Sequence, residues 1–263
     1  MNYILYKIYY GEKLVYVGRT KQEVVSLPSI YSQVDYLQGA GAQFINTGVI
    51  PTPDTKIDID FAYVKNNNNI WNPIFGVRPG ANNTYYALFV NDNSLKATMN
   101  YAGFDPADNS QVVLVANGIY NFKNDEGTMY VDDVYESSIS TKNTLITSNK
   151  GIYLFTIVRS DGTIDNRGQR VRIYRCKLYE KEKILRDLVP CKRNNDNVLG
   201  MYDLINDTFY TNGGTGSFTY GQIISQPTPI FKNDLVSVGY KNLFNEEYEQ
   251  GSGLEVINTG IRS

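Results

Sequence analysis

Carboxylates standing close together are the first residues of this chain whose types could support chemistry. Asp58 and Asp60 alternate within an apolar run, Asp132 and Asp133 are adjacent, and Asn194, Asn195, Asp196 and Asn197 form a continuous polar run. Paired acids are the minimum for hydrolysing a glycosidic bond, and clustered carboxylates and amides are the oxygen ligands of calcium. The surrounding residues complete neither chemistry. Ligands from one short strand lack the encircling loop of a calcium site, and residues 194–197 lack its acidic pattern and terminal Glu. Asp58 and Asp60 are therefore expected on the solvent side of a strand whose Ile57, Ile59 and Phe61 enter a core. Asp132 and Asp133 are expected in a hairpin turn, and residues 194–197 in a capping turn. The chain contains no His, the commonest general base. No catalytic residue, metal or cofactor is expected.

Sugar recognition is the second candidate chemistry. Trp71, the single Trp, follows an Asn-rich loop and precedes Arg78, Tyr85, Tyr101 and Phe104. Gathered by the fold, these rings would stack on a sugar face while neighbouring amides and carboxylates met its hydroxyls. The competing expectation places the lone Trp of a β protein in the core.

The elements that must position these residues read as strands. With 22 Tyr against one Trp, the aromatic content suits a pleated sheet and also a wet recognition surface. The runs PIFGVR, TYYALFV, SLKATMNY and QVVLVA, each bounded by Asn, Gly, Asp or Pro, have the spacing of a sandwich or jelly roll. Asp125-Glu126-Gly127 marks a tight turn between two further strands, and Tyr153, Phe155 and Ile157 alternate toward one face. The segment RVRIYRCKLYEKEKILRDLVP forms a hairpin turning at about Lys181 and Glu182, which sets Cys176 opposite about Asp187 rather than Cys191. No disulfide is expected, and Cys176 reads as a small buried residue.

Charge and hydropathy narrow the partners. A formal net charge of −2 without a long basic run gives no footprint for nucleic acid. The opening MNYILYKIYYGEKLVYVG is broken by Lys7, Glu12 and Lys13, so neither membrane insertion nor a signal peptide is expected. The runs on either side of Gly11 and Glu12 form a β-hairpin.

Two resemblances follow from these residues. Tyr9, Tyr16 and the run YVGRTKQ resemble the opening of GIY-YIG nucleases, whose pattern continues with an Arg-bearing helix and a metal-binding Glu. Here Ser26-Leu27-Pro28-Ser29 stops any helix, and nuclease activity is not expected. The second resemblance is broader. Tyr31, Tyr36, Leu37, Gln43, Phe44, Ile45, Thr47, Gly48 and TKIDIDF at 55–61 resemble the opening of concanavalin A-like, laminin-G-like modules in phage and prophage virion proteins. GIYNFKNDEGTMYVDDVYE resembles their central strand pair, with Asp132-Asp133 where the family often has Asp-Gly, and LRDLVPCKRNNDNVLGMYDLINDTFYTNGGTGSFTYG resembles their ending.

The resemblance implies an all-β fold: a concanavalin A-like jelly-roll sandwich of two antiparallel sheets with small β appendages at both ends. Residues 1–25 would be an attachment hairpin, 26–222 the jelly roll, and 223–263 a linker with an arm or the start of a further module. Pro227 and Pro229 mark that linker, and Tyr240-Lys241-Asn242-Leu243-Phe244 resembles the first strand of a module common downstream in phage tail proteins. The implied function is that of a virion component, a tail or head fibre or tip protein. Such a protein is assembled in the bacterial host cytoplasm and binds host-surface carbohydrate or other virion proteins, with a trimer as the expected homo-oligomer. Two rivals remain open: a purely architectural decoration or connector subunit, and a glycan-cleaving enzyme of the same fold. The Glu-x-Asp-x-x-Glu pattern usual in such enzymes is absent.

Overall fold

The computed structural model describes residues 4–10, 13–20, 23–64, 71–78, 86–91, 94–101, 109–138, 148–165 and 170–224, with no helix among them. The chain forms two compact units, Met1–Ile224 and Ser225–Ser263. The second, where the arm or further module is expected, lies outside the described residues.

The strands open with β1 (Ile4–Tyr10), β2 (Lys13–Thr20), β3 (Tyr31–Gln33), β4 (Leu37–Gln38), β5 (Ile45–Asn46), β6 (Thr55–Val64) and β7 (Trp71–Arg78). Next come β8 (Tyr86–Asn91), β9 (Lys96–Tyr101), β10 (Asn109–Val113), β11 (Ile119–Asp125), β12 (Thr128–Val131), β13 (Val134–Ser138), β14 (Tyr153–Leu154) and β15 (Val158–Arg159). The last are β16 (Arg170–Glu180), β17 (Lys183–Arg193), β18 (Leu199–Asp203), β19 (Thr208–Thr211) and β20 (Thr219–Tyr220). β1 and β2 form the expected hairpin, with Tyr10 opposite Lys13.

Two antiparallel sheets build the sandwich. The smaller has the order β10-β9-β8-β7-β14-β5, with β15 running parallel to β7. The larger has the order β13-β12-β11-β6-β16-β17-β18-β19, with β3, β4 and β20 added along it. Period-two alternation places the core between them. Ile57, Ile59 and Phe61 of β6 are buried there against Phe75, Tyr86 and Leu88 of the smaller sheet, while Lys56, Asp58 and Asp60 point outward. Each such aromatic or aliphatic side chain contributes roughly 1.5–3 kcal/mol by leaving water.

Two details of register depart from expectation. A bulge between Leu178 and Tyr179 shifts the β16–β17 hairpin by one residue, so Cys176 faces Leu188 rather than Asp187. Both cysteines are free and buried: Cys176 lies in the core, and Cys191 lies with Val189 and Tyr202 on the other face of the larger sheet. The expected alternation of Tyr153, Phe155 and Ile157 is broken. β14 runs antiparallel to β7, the chain reverses at Phe155 with φ of 69°, and β15 continues parallel to β7. Phe155 enters the main core, whereas Ile157 joins Ala87 and Phe89 in a separate cluster.

The segments with the strongest resemblance meet along one edge. Gln43 accepts from the Ala40 N–H and donates to the Thr215 carbonyl, at 2.8 and 2.9 Å. The Asn212 carboxamide oxygen accepts from the N–H groups of Phe44 and Gly214. Arg186 donates to the Thr47 carbonyl at 3.1 Å and lies 3.5 Å from the carboxylate of Asp203, which is fully buried. Asp203 also accepts from the Asp187 and Ile205 N–H groups and from Asn206. Gly214 has to be glycine, because a Cβ there would sit 1.9 Å from the Ala42 carbonyl oxygen.

Chain entry and exit are neighbours. Val34 bridges Ile223, and the Ile224 N–H donates to the Gln33 carbonyl. The segment before them is seated on the larger sheet, where Val25 and Leu27 pack against Val189, Cys191 and Tyr202. Glu23 pairs at 2.6 Å with Arg175, which also holds Asp187 through two bonds of 2.8 Å.

Candidate functional site

Of the five residues proposed for sugar contact, Tyr85 and Phe104 lie outside the described residues, and for Tyr101 only the backbone, at the end of β9, is described. Trp71 and Arg78 are the first and last residues of β7, about 23 Å apart at the usual strand rise. The register aligns Val77 with Tyr86 and Tyr86 with Tyr101, which puts Tyr101 at the Arg78 end. Trp71 thus lies at one end of the sheet, and Arg78 with the backbone of Tyr101 at the other. Trp71 is separated from Arg78 and Tyr101 because it opens a strand, so its lateral neighbours come from other strands and not from the residues that follow it.

Those neighbours form a row. Trp71 pairs with Asn91, Asn91 with Lys96, and Lys96 with Val113. Directly opposed residues share a face, and the alternation of β8 identifies it. Tyr86, Leu88 and Val90 enter the core, while Ala87 and Phe89 cluster on the outer side with Ile157 and Trp71. Phe89, 9% exposed, meets the Trp71 ring edge-on at 6.5 Å and an interplanar angle of 81°. Trp71, Asn91 and Lys96 are all half-buried. An indole braced from one side, with an amide and an ammonium on the next two strands, offers an apolar face beside hydrogen-bonding groups. Lys96 makes no ion pair among the described residues. The core expectation for Trp71 is thus met in part: it belongs to an outer satellite cluster.

Behind this row the two central strands approach closely. A Cβ on Gly76 would lie 2.4 Å from that of Ala87 and 2.7 Å from its Cα. At the far end, β15 brings Arg159 beside Arg78. Asn91, Lys96 and Arg159 were not legible as site residues, because each reaches this face only through pairing between strands.

The acids are committed elsewhere. Asn121 donates from one nitrogen to Asp58 and Asp60, at 2.5 and 3.0 Å, so the two accepting oxygens are within about 5.5 Å of each other. Asp132 and Asp133 occupy the β12–β13 turn with φ of 52° and 63°. Asp132 accepts from the Asn121 N–H, and Asp133 pairs with Lys123. Asp196 holds Arg193 and accepts from the Val198 N–H, the expected capping turn. No group of three or more acids or cysteines able to hold a metal occurs among the described residues.

A cleft of about 240 Å³ opens on the larger sheet, lined by Lys56, Asp58, Lys123, Asp125, Tyr179 and Glu182 among others. Its charges are largely paired internally. Lys56 contacts Glu182 at 2.8 Å and Asp125 at 3.0 Å, and bonding to these two carboxylates raises its pKa above the ordinary lysine value.

No family model and no curated protein matches the chain. Among solved structures, the crystal structure of a candidate carbohydrate-binding protein from Bacteroides ovatus aligns with a TM-score of 0.49 and 12% identity, over 73% of this chain. The chain spans 61% of that structure's length.

Proposed function

We propose that this chain is a non-catalytic binding component of a phage particle, in a tail or fibre, whose sandwich takes host-surface carbohydrate on the outer face of the smaller sheet. The row Trp71–Asn91–Lys96 carries the reading, since it combines a braced aromatic face with an amide and a cation that has no ion pair among the described residues. The virion setting is supported by the resemblance of residues 27–61, 118–136 and 185–221 to phage modules. Binding without cleavage is supported by the engagement of the acids: one amide sits between Asp58 and Asp60. Individually weak sugar contacts would gain strength from several copies, a trimer above all.

The test is binding of the purified chain to host cells and to a glycan array, beside co-sedimentation with other virion proteins. Saturable, Trp71-dependent glycan binding supports the reading. No binding to cells or glycans, with no assembly, sinks it. One observation favours the architectural alternative: Val113, Val115 and Val134 are more than half exposed on or beside the outermost strands β10 and β13. Assembly that Val134→Lys abolishes, without any glycan binding, would decide for it.

A further inference from the structure

Resting on the carbohydrate reading above, we infer that the outer face of the smaller sheet carries a second sugar position, at Tyr153 and Asn46, and that its ligand is a polysaccharide chain rather than a single terminal sugar. Strand alternation places the pair. Leu154 of β14 stands directly opposite Ile45 of β5 and Phe75 of β7, and all three are buried in the core. Tyr153 and Asn46, one residue away on their strands and opposed to each other, therefore turn outward. The Tyr153 ring is half-buried and lies nearly parallel to that of Phe44, with centroids 4.6 Å apart and an interplanar angle of 16°. Phe44 is held in turn by the chain beside it, since a Cβ on Gly213 would come within 2.4 Å of its ring. On the β7 side the residue opposite Tyr153 is Gly76, which sets no side chain beside the ring.

Polar groups stand at the margin of this ring. Asn46 is exposed, and its Oδ1 accepts from the Gly48 N–H at 3.0 Å. Its carboxamide N–H groups, like the Tyr153 hydroxyl, make no hydrogen bond among the described residues. An aromatic ring backed by a second ring, with an amide donor and a hydroxyl beside it, can take the apolar face of a pyranose and bond its hydroxyls. The position is separate from the Trp71 contact. Gly76, opposite Tyr153, follows Trp71 by five residues of β7, about 16 Å at the usual strand rise and beyond the reach of one sugar ring. A chain of several sugars meets both rings, and joining two weak contacts in one ligand makes the second intramolecular and raises affinity.

The experiment titrates the full chain, by isothermal calorimetry, with size-separated fragments of uncharged bacterial capsular and O-antigen polysaccharides, from one sugar unit to eight. The expected result is an affinity that rises about tenfold or more between the single sugar and the longest fragment. Asn46→Asp keeps the acceptor for the Gly48 N–H and removes the donors, so it should abolish most of that rise at an unchanged melting temperature. Tyr153→Ala should abolish it as well, and Tyr153→Phe, which keeps the ring on Phe44, should retain more of it than Tyr153→Ala. Should Tyr153→Ala fail to fold, Asn46→Asp decides alone. A rise with length that these variants leave intact, or Trp71-dependent binding that does not rise with length, overturns this inference and leaves the carbohydrate reading standing. No binding of any fragment overturns both.

Discussion

The edge where residues 43–48 meet residues 201–216 and the outer face of the smaller sheet use polar side chains in opposite ways. At the edge, Gln43, Asn206, Asn212 and Asp203 spend their hydrogen-bonding capacity on backbone groups or on one another. On the outer face, Lys96 and Arg159 have no ion pair among the described residues. Dense, motif-like sequence therefore marks where the fold is closed, because each buried polar group there needs a specific partner. The face proposed for binding is built from residues that match no motif.

Removing Asp203 is the most severe way to challenge this contrast. Asp203→Ala takes the acceptor from the buried Asp187 N–H and one partner each from Arg186, the Ile205 N–H and the exposed Asn206 amide, and should cost about 3–5 kcal/mol in urea unfolding. Glycan affinity of the remaining folded fraction should be unchanged. A cost below about 1 kcal/mol would mean that the edge does not hold the sandwich closed.

Alkaline pH should separate the two regions next. Burial pushes the Cys191 thiol up to about 12 and the Cys176 thiol well above its ordinary value, while an unfolded thiol titrates near 8.5. The folded state keeps the proton where the unfolded state loses it. Stability is therefore intact below about pH 8.5 and falls by about 1.4 kcal/mol per pH unit per thiol until the folded pKa is reached. Burial also raises Tyr174 to about 12, which adds a loss of the same sign above pH 10. Binding by the folded protein should persist to pH 9.5, since both thiols lie off the outer face of the smaller sheet. Denaturant titrations at pH 8, 9.5 and 10.5 check this, and Cys191→Ala should flatten the slope. A slope identical in that variant would show that Cys191 does not report the change.

How much of this was legible follows the same division. Alternation in TKIDIDF gave the two faces of β6, and the turn at Lys181-Glu182 gave the β16–β17 hairpin to within one residue. Both are local patterns. The bulge at Leu178/Tyr179 and the reversal at Phe155 were not legible, because a positive φ at a buried Phe is set by tertiary packing against local preference. The grouping of Trp71 with Arg78 was limited for a related reason. Trp71 and Arg78 look adjacent in sequence, yet a strand holds them apart and brings Asn91 and Lys96 to Trp71 by pairing.

On the binding face the effects should move from stability to affinity. Trp71→Ala removes the ring that meets Phe89 edge-on and should cost about 1–2 kcal/mol, below the roughly 3–5 kcal/mol of a fully buried aromatic. Affinity for the bound glycan should fall about tenfold or more, read by isothermal titration. Full affinity in this variant would move the site away from the Trp71 end.

Lys96→Gln should have the smallest effect on stability and is the sharpest probe of the contrast. Lys96 is half-buried and has no ion pair among the described residues, so replacing it by an uncharged side chain of similar length should leave unfolding within about 0.5 kcal/mol of wild type. Binding should still weaken severalfold, with a shallower dependence on salt, because one cation has left the face. The two measurements on one variant test different sides of the comparison. If unfolding shifts by more than about 1 kcal/mol, the ammonium has a structural role and the outer face is not uncommitted. If neither stability nor binding changes, Lys96 stands outside the contact, and recognition narrows to Trp71 with Asn91.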